Sequence, residues 1–464
     1  MSEPGTENSP LCVAIIGSGP AGFYAAEHLL KQDISVQVDM FDRLPTPFGL
    51  VRGGVAPDHQ KIKSVTKVYD RTASRPEFRF YGNVELGKDL QLDDFRRFYH
   101  QIIFTTGAQT DKKLEIPGED LAGSHAATEF VAWYNGHPDY RDLEFDLTQE
   151  KVAVIGVGNV AVDVARILCR TPQELATTDI ADYALEALRE SKVCEVYLIG
   201  RRGPVQAAFT TPEVKELGEL EDADALALPD EAQLDTFSQE DLEASSDRTL
   251  QRKVEIIQSY AENRATGKTR RLILRFLVSP TELKGENGHV TGMTLVKNEL
   301  YRTDAGTLRP RATDQSEELD CGLVFRSIGY QGVPLAGVPF HERWGVIHNQ
   351  AGRVYDPEKD EIVTGLYTAG WIKRGPSGVI GTNKPDSVET VEHMLEDMRA
   401  GKLITPENPD RDAARDFIAS VQPRYVSYED WMKIDEAEVT AGGKLGRPRL
   451  KFTTIEDMLK AAGK

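Results

Sequence analysis

The chain has 464 residues, of which 74 are acidic and 55 are basic, so its formal net charge is −19 at pH 7. This length allows two or three domains, because single hydrophobic cores stop growing near ~250–300 residues. The charge disfavours nucleic acid and anionic membrane surfaces as general partners. No apolar stretch approaches the ~18 residues of a membrane span, and residues 1–10 do not resemble a signal peptide. The sequence therefore predicts a cytoplasmic protein with no membrane span.

The stretch LCVAIIGSGPAG, which begins at Leu11, combines a short apolar run with a glycine turn and the start of a helical pattern. The glycines of this turn are Gly17, Gly19 and Gly22. This order is typical of a dinucleotide-binding βαβ unit, in which the helix N-terminus faces a pyrophosphate. The next apolar run ends at Asp42, whose carboxylate can accept from a ribose 2′-hydroxyl and repels a 2′-phosphate. We predict FAD or NAD here; an ordinary glycine-rich turn is the alternative.

Residues 45–59 mix prolines and glycines with apolar side chains, which suits neither helix nor strand. A long, rigid loop is predicted, either a connector or the wall of a cofactor site. The basic residues after it are predicted to lie on a solvated helix face: Lys61, Lys63, Lys67, Arg71 and Arg75. Short strands are predicted at 79–84 and 101–108.

A second glycine turn follows the apolar run 151–155. Its residues are Gly156, Gly158 and, in place of the third glycine, Ala161, which is an accepted variant. The run 193–199 should carry the ribose-reading residue, but it ends in Gly200, Arg201 and Arg202 and holds no acid at its end. Two guanidiniums can bind a 2′-phosphate, so the second nucleotide is predicted to be NADP. A surface arginine pair is the alternative.

Residues 216–247 contain twelve acids and neither lysine nor arginine, and they are predicted to be solvated helix and loop. The elements predicted after them are an antiparallel pair of strands (271–279 and 290–300), two strands that end near glycine (321–329 and 365–371), a helix (387–398) and further helices over 407–464.

Four longer motifs are GLVRxGVAPDH (49–59), GNVAxDVARIL (158–168), GRRGPxQAAFT (200–210) and GWIKRGPxGVIGTN (370–383). With these motifs the chain resembles, over nearly its whole length, the adrenodoxin-reductase-type ferredoxin–NADP reductases, especially their mycobacterial relatives. The resemblance implies an α/β fold of two Rossmann-like three-layer nucleotide-binding domains, as in glutathione reductase. An NADP-binding domain, residues 109–329, is then inserted in a discontinuous FAD-binding domain, residues 1–108 and 330–464.

Carried over position by position, the resemblance implies two sets of cofactor-binding residues. FAD is expected to touch Ala21, Asp42, Leu50, Val84, Trp371, Gly378, Val379 and Ile380, beside the glycines of the first turn. NADP(H) is expected to touch Gly158, Asn159, Val160, Ala161, Arg201, Arg202, Glu213 and again Gly378. Much of the family has Glu where this chain has Asp42, and the shorter acid can still reach a ribose.

The activity implied is that of a monomeric ferredoxin–NADP(+) reductase. It transfers a hydride from NADPH to FAD and then releases single electrons to a ferredoxin or another iron–sulfur protein. Flavin and nicotinamide supply this chemistry, so no metal site or nucleophile is needed. The resemblance places His59 and Glu213 nearest the reacting rings, with roles in positioning and charge balance. A structural hydrogen-bonding role is the alternative for His59.

Other functions share parts of this pattern. A disulfide reductase needs a cysteine pair beside the flavin, and the cysteines Cys12, Cys169, Cys194 and Cys321 form no CxxC or CxxxxC motif. A flavin monooxygenase would use both turns but not the motif at 49–59. An NADPH-dependent flavoprotein that reduces quinones or other small acceptors stays open, as does a redox-sensing NADP-binding module.

Docking of a ferredoxin poses an electrostatic problem, since the ferredoxins of such enzymes are acidic and this chain carries −19. Arg248, Arg252 and Lys253 are predicted to form the positive docking patch, because the first two share a helix face at i, i+4. An ordinary solvated helix face is the alternative. The lysines at 61, 63 and 67 are the next candidate surface.

The missing cysteine pair predicts that reducing equivalents leave directly from the flavin. Alkylating the four cysteines, or replacing them one at a time by Ser or Ala, should leave NADPH-to-acceptor turnover largely intact. Loss of turnover in a single variant that still binds FAD would show that a thiol relays electrons.

Overall fold

A computed structural model describes residues 4–464. The chain forms two compact units. Unit 1 comprises the chain up to Thr110, Asn135–Pro138 and Tyr330–Lys464, and unit 2 comprises Asp111–Tyr134 and Asp139–Gly329. Which nucleotide each unit binds stays a prediction from the sequence.

The strands are β1 (Leu11–Ile16), β2 (Val36–Asp42), β3 (Phe78–Gly82), β4 (Gln101–Phe104), β5 (Thr110–Asp111), β6 (Ser124–Ala126), β7 (Lys151–Ile155), β8 (Glu195–Ile199), β9 (Ala223–Ala227), β10 (Arg270–Arg275), β11 (Val278–Glu286), β12 (His289–Arg302), β13 (Leu308–Asp320), β14 (Leu323–Arg326), β15 (Tyr330–Gln331), β16 (Phe340–His341), β17 (Val346–Ile347), β18 (Asn349–Gln350), β19 (Arg353–Asp356) and β20 (Glu361–Thr368).

The α-helices are α1 (Pro20–Leu29), α2 (Leu50–Gly53), α3 (Gln60–Lys63), α4 (Thr66–Ala73), α5 (Leu92–Arg96), α6 (Ala127–Tyr134), α7 (Asn159–Cys169), α8 (Pro172–Leu175), α9 (Asp182–Arg189), α10 (Thr211–Leu217), α11 (Pro229–Ala232), α12 (Thr236–Ala244), α13 (Arg248–Glu262), α14 (Trp371–Arg374), α15 (Asn383–Arg399), α16 (Arg411–Val421), α17 (Tyr428–Gly443) and α18 (Ile455–Ala462). Short 3₁₀ turns lie at Pro138–Tyr140, Pro204–Gln206 and Ile380–Thr382. Within residues 4–464, no helix combines the length and hydropathy that a bilayer crossing requires.

Unit 1 is built on a seven-stranded sheet in the order β18-β19-β20-β4-β1-β2-β3. The strands from β20 to β3 are parallel, and β18 and β19 add an antiparallel edge. Every residue of β1 is buried, as expected where both faces of a parallel sheet are covered. Its side chains alternate between two clusters, because successive residues of a strand point to opposite faces. Leu11, Val13 and Ile15 pack with residues of α1, α4, α15, α17 and α18, whereas Cys12, Ala14 and Ile16 pack with residues of α5 and α16.

Unit 2 contains a six-stranded parallel sheet in the order β6-β14-β7-β8-β10-β9. On one face, Val152 and Val154 of β7 pack in a large cluster with residues of α6, α7 and α13. On the other face, Ala153 and Ile155 pack against the antiparallel meander β11-β12-β13. These two buried sheets, one parallel and one mostly parallel, place the chain in the predicted α/β class.

Three sequence predictions need correction. Residues 271–275 belong to β10, a parallel strand between β8 and β9, and the antiparallel hairpin is formed by β11 and β12 instead. This hairpin turns at Asn287 and Gly288, both with positive φ, as a tight Asn-Gly turn requires. The acidic stretch contains the largely buried strand β9. The predicted loop at 45–59 contains the single helical turn α2.

Candidate functional site

The first glycine turn joins β1 to α1 at the carboxyl edge of the sheet in unit 1. Gly17 has φ +105°, and a Cβ there would lie 2.7 Å from the carbonyl oxygen of Thr105. A Cβ at Gly22 would lie 2.4 Å from the carbonyl oxygen of Gly17, so only glycine fits at either position. Beside Gly19, no atom of the described chain lies within 4 Å of an added Cβ. The turn is packed against the sheet and open at Gly19, as the approach of a pyrophosphate requires.

Helix α1 begins at Pro20, directly after this opening. In the part of the chain that the structure describes, no side chain caps this helix end, and its first turn holds no acidic residue. Uncapped backbone N–H groups and the positive end of the helix dipole favour an anion. The turn and the helix start together fit the diphosphate of a dinucleotide.

Asp42 ends β2, and its carboxylate is bound to the same turn. One oxygen accepts from the backbone N–H (3.1 Å) and the hydroxyl of Ser18, and the other accepts from the Leu44 N–H at 2.9 Å. Burial raises the pKa of Asp42, while the hydrogen bonds from Ser18 and Leu44 oppose that shift. The residue as a whole is half-buried. Asp42 therefore shapes the turn and can still accept from a ribose hydroxyl through its remaining lone pairs.

The loop after β2 packs directly on the glycine turn. The N–H of Phe48 donates to the Ser18 carbonyl at 3.0 Å. A Cβ at Gly49 would lie 2.9 Å from the Cα of Gly19. Leu50, at the start of α2, is 46% exposed. This loop and the turn therefore form one wall, with an apolar side chain available to cover a cofactor.

Two of the predicted FAD contacts are buried parts of the same arrangement. Val84 is buried, and its N–H donates to the Asp42 carbonyl at 3.0 Å. Ala21 lies against Gly370, where a Cβ would approach the Ala21 Cβ to 2.6 Å. The hydroxyl of Ser387 also donates to the Ala21 carbonyl at 3.0 Å. The late strand β20 and its turn thus return to the first glycine turn within unit 1.

The segment after β20 reverses direction and is held by a hydrogen bond and a ring contact of Trp371. Trp371 donates from Nε1 to the Ser377 carbonyl at 3.2 Å, and its ring stacks on Tyr330 with centroids 6.1 Å apart. Gly378 has φ +78°, which permits the chain to reverse. The apolar side chains that follow are Val379, which is 50% exposed, and Ile380, which is half-buried.

The second glycine turn repeats the first one in unit 2. Gly156 has φ +132°, and a Cβ there would lie 2.0 Å from the Ser327 carbonyl oxygen. Gly158 is open: no described atom lies within 4 Å of an added Cβ. Helix α7 begins at the next residue, Asn159, whose Oδ1 accepts from the Thr210 N–H at 2.8 Å. The remaining predicted contacts of this turn are the half-buried Val160 and the buried Ala161.

Arg201 and Arg202 follow β8 at the same edge of the sheet. Among residues 4–464, neither guanidinium forms an ion pair with a carboxylate. Burial lowers the pKa of Arg202, and repulsion from Arg201 adds to the effect. Their backbone is fixed, because the Arg201 carbonyl accepts from Asn298 Nδ2 (3.0 Å) and the Arg202 carbonyl accepts from the Leu277 N–H (3.2 Å). Two neighbouring cations without a counterion fit an anion such as a 2′-phosphate.

Glu213 is part of a buried ion cluster in unit 2. Its carboxylate lies 3.1 Å from a guanidinium nitrogen of the fully buried Arg166. Arg166 also pairs with Asp163 at 2.7 Å and lies 3.7 Å from Glu216. The sequence does not single out Arg166, because it stands among apolar residues of α7; its i, i+3 spacing from Asp163 is the only local signal. His59 lies in unit 1, half-buried directly before α3, and the roles of His59 and Glu213 beside the rings stay predictions.

The predicted docking patch is wrong in one residue. Residues 248–262 form the expected helix α13, but Lys253 is buried and donates from Nζ to the Ala207 carbonyl at 2.5 Å. Arg252 is exposed and pairs with Glu255 at 2.8 Å, and Arg248 is exposed. The surface patch is therefore reduced to two arginines.

The four cysteines are free. Burial raises the pKa of Cys12, Cys169 and Cys321 to about 12. Because the thiolate is the reactive form, alkylation will reach these three slowly in the folded protein. Substitution is therefore the decisive part of the cysteine experiment.

Comparison with known proteins shows similarity over nearly the whole chain. The family described as pyridine nucleotide-disulphide oxidoreductase matches residues 12–211. NADPH-ferredoxin reductase FprA of Mycobacterium tuberculosis is 44% identical over 461 residues, which cover 97% of this chain and 99% of the relative. The mitochondrial NADPH:adrenodoxin oxidoreductase of Arabidopsis thaliana is 41% identical over 464 residues, which cover 98% of this chain and 95% of the relative. The solved structure of Mycobacterium tuberculosis FprA in complex with NADPH superimposes with a TM-score of 0.92 at 43% identity, covering 98% of this chain and 100% of that one.

Two α/β units, each with an open glycine turn at the carboxyl edge of its sheet, have the architecture of dinucleotide-binding folds, and the relatives place the chain among the pyridine-nucleotide oxidoreductases. The chain belongs to the NADPH-ferredoxin reductase family. This confirms the resemblance and the fold class expected from the sequence, together with the class of enzyme and its cofactors, FAD and NADP(H).

Arg201 and Arg202, which pair with no carboxylate among residues 4–464, predict that the enzyme prefers NADPH to NADH. Arg201→Ala or Arg202→Ala should raise the KM for NADPH roughly ten- to a hundredfold, because a lost charge-assisted contact costs about 1.5–3 kcal/mol. The KM for NADH should stay nearly unchanged. Steady-state kinetics with both nucleotides measures this, and Arg264→Ala, at an exposed arginine of unit 2, is the control. Equal losses with NADPH and NADH would contradict the assignment.

Proposed function

We propose that the chain is an FAD-dependent NADPH-ferredoxin reductase in which unit 1 binds FAD and unit 2 binds NADP(H). The observation that carries this assignment is a contrast of charge at the two turns. Asp42 is bound to the first turn, whereas Arg201 and Arg202 stand without a counterion in unit 2. A carboxylate suits ribose hydroxyls and repels phosphate, and a pair of guanidiniums suits phosphate. Only unit 2 should therefore select a 2′-phosphate.

When bound, the two cofactors supply the redox chemistry, in which NADPH gives up a hydride and an iron–sulfur protein receives single electrons. The residues of this chain bind and orient them. The open glycine positions and the uncapped starts of α1 and α7 would hold the diphosphates. The exposed apolar side chains of Leu50 and Val379 would cover apolar ring surface and displace water from it.

The titratable residues proposed nearest the rings have positioning and charge-balancing roles. Glu213 can act in this way because Arg166 holds its carboxylate in one place. His59 follows the loop that packs on the first glycine turn, so its backbone position is set by that loop. Neither residue is required to act as a nucleophile or a metal ligand for hydride transfer.

The proposed function is tested on the purified protein. It should be yellow, and NADPH without oxygen should bleach its flavin absorbance and then support turnover with an artificial electron acceptor. Failure to bind added FAD would contradict the assignment of unit 1, and bound flavin that NADPH does not reduce would contradict the assignment of unit 2. Tight NADPH binding without turnover would indicate a redox-sensing module.

An iron–sulfur electron carrier is the class of partner that the family relation supports. For the docking surface we infer Arg248 and Arg252, which are exposed on one face of α13. A basic patch on a chain of charge −19 gives an acidic carrier a local point of attraction. The monomeric state and the cytoplasmic location stay predictions from the sequence.

Reversal of the two patch charges tests this surface. Arg248→Glu combined with Arg252→Glu should slow electron transfer to ferredoxin about tenfold or more and weaken its salt dependence, because electrostatic steering contributes about 10–10³ to association rates. Direct reduction of a small uncharged quinone should be unaffected. Lys88→Glu combined with Lys359→Glu, at two exposed lysines of unit 1, changes the net charge equally and is the control. Parallel salt curves for the patch variant and the control would place docking elsewhere.

A further inference from the structure

The C-terminal segment of unit 1 contacts the loop that carries the predicted FAD contact Leu50. Glu438 lies in α17, and its side chain is 0% exposed. Its two carboxylate oxygens accept from the two terminal nitrogens of Arg52, at 2.8 and 2.5 Å. Arg52 belongs to the single helical turn α2, two residues after Leu50. This two-pronged contact joins positions 386 residues apart in the chain.

Glu438 accepts two further hydrogen bonds. Arg449 donates to it at 3.1 Å, and the backbone N–H of Phe452 donates at 2.9 Å. Burial alone would raise the pKa of Glu438, but the charges of Arg52 and Arg449 hold it below its ordinary value. The carboxylate is therefore ionised at neutral pH. Four donors around one buried carboxylate fix the position of the Arg52 side chain.

The same C-terminal segment also holds the backbone beneath Arg52. Lys451 is buried, and its Nζ donates to the Arg52 carbonyl at 3.1 Å and to the Asn135 carbonyl at 3.2 Å. The buried ring of Trp431 lies under the Arg52 guanidinium, 5.3 Å from its carbon to the ring centroid. That ring also meets Phe48 edge to face at 5.7 Å. Residues 431–451 thus contact the Arg52 side chain, the Arg52 backbone and the Phe48 ring of this loop.

The loop needs such support because part of its backbone is strained. Phe48 has φ +84°, a conformation that residues other than glycine rarely adopt. Such a conformation persists only where the surrounding contacts enforce it. The strained residue is also the one whose N–H binds the Ser18 carbonyl of the glycine turn. Loss of the contact between Arg52 and Glu438 would therefore weaken the hydrogen bond that joins Phe48 to Ser18 of the glycine turn.

We propose that Glu438 is a positioning residue for FAD binding, which acts through Arg52 to keep residues 48–53 seated on the first glycine turn. The C-terminal segment then stabilises the loop that forms one wall of the cofactor site. This inference rests on the proposed function, since it takes unit 1 as the FAD-binding unit.

The test is the rate at which FAD leaves the holoenzyme. Glu438→Gln keeps the shape of the side chain but removes its charge, leaving the half-buried Arg52 and Arg449 with one counterion fewer. The rate of FAD dissociation, followed by the rise of free-flavin fluorescence well below the melting temperature of each variant, should increase about tenfold or more. The KM for NADPH of the FAD-saturated enzyme should not change.

Asp435→Asn is the matched control. Asp435 lies one turn earlier in α17 and pairs with Arg449 at 2.7 Å, so this variant perturbs the same helix and the same arginine without removing the carboxylate that binds Arg52. Its FAD dissociation rate should remain close to that of the wild type. A difference between the two variants therefore reports the contact with Arg52 and not a general loss of stability.

Arg52→Lys probes the contact from the loop side, because lysine keeps the charge but cannot make the two-pronged contact. It should also speed FAD dissociation, and it decides the matter if Glu438→Gln does not fold. Dissociation rates in Glu438→Gln and Arg52→Lys equal to that of Asp435→Asn would overturn the proposal. A wild-type protein that does not bind FAD would instead contradict the proposed function.

Discussion

Both units depend on a chain reversal so tight that no side chain can be accommodated at its first glycine. The obstacle is the backbone that follows a neighbouring parallel strand: the Thr105 carbonyl for Gly17 and the Ser327 carbonyl for Gly156. Because parallel strands end at the same edge of a sheet, this crowding is a direct result of strand packing. The crowded side of each turn faces the neighbouring strand. The other side, at Gly19 and Gly158, is open, and a helix begins there. The capacity to bind an anion thus follows from how the strands pack.

The two turns then differ in the charge placed beside them. In unit 1, the Asp42 carboxylate accepts hydrogen bonds from Ser18 of the turn, so a nucleotide bound there would meet a carboxylate. In unit 2, Asn298 of the meander donates to the Arg201 carbonyl and the Leu277 N–H donates to the Arg202 carbonyl, while no carboxylate among residues 4–464 pairs with either guanidinium. The two neighbouring guanidiniums repel each other, and an anionic ligand between them would relieve that repulsion. This contrast of charge supports the proposal that unit 2 takes the nucleotide with a 2′-phosphate and unit 1 takes the nucleotide without one.

Local features of the site could be predicted from the sequence, and long-range ones could not. The glycine turns were predictable because strand, turn and helix follow one another within a few residues. The sequence predicts a hairpin where the structure has the parallel strand β10, since alternating apolar residues do not distinguish a parallel strand from an antiparallel one. The burial of Lys253 is not predictable, because a single sequence does not show that the Ala207 carbonyl accepts from its amine. The pair of Glu438 with Arg52 left no local pattern at all, since its members meet only in the folded chain.

Unit 2 is proposed to select its nucleotide by the 2′-phosphate. Binding of 2′,5′-ADP and of 5′-AMP to the FAD-loaded wild-type protein tests it most directly, because the two ligands differ in that phosphate. Calorimetry across a salt series should give about ten- to a hundredfold tighter binding of 2′,5′-ADP at low salt, with an advantage that shrinks as salt rises. Equal affinities at low salt, or tighter binding of 5′-AMP, would contradict the account.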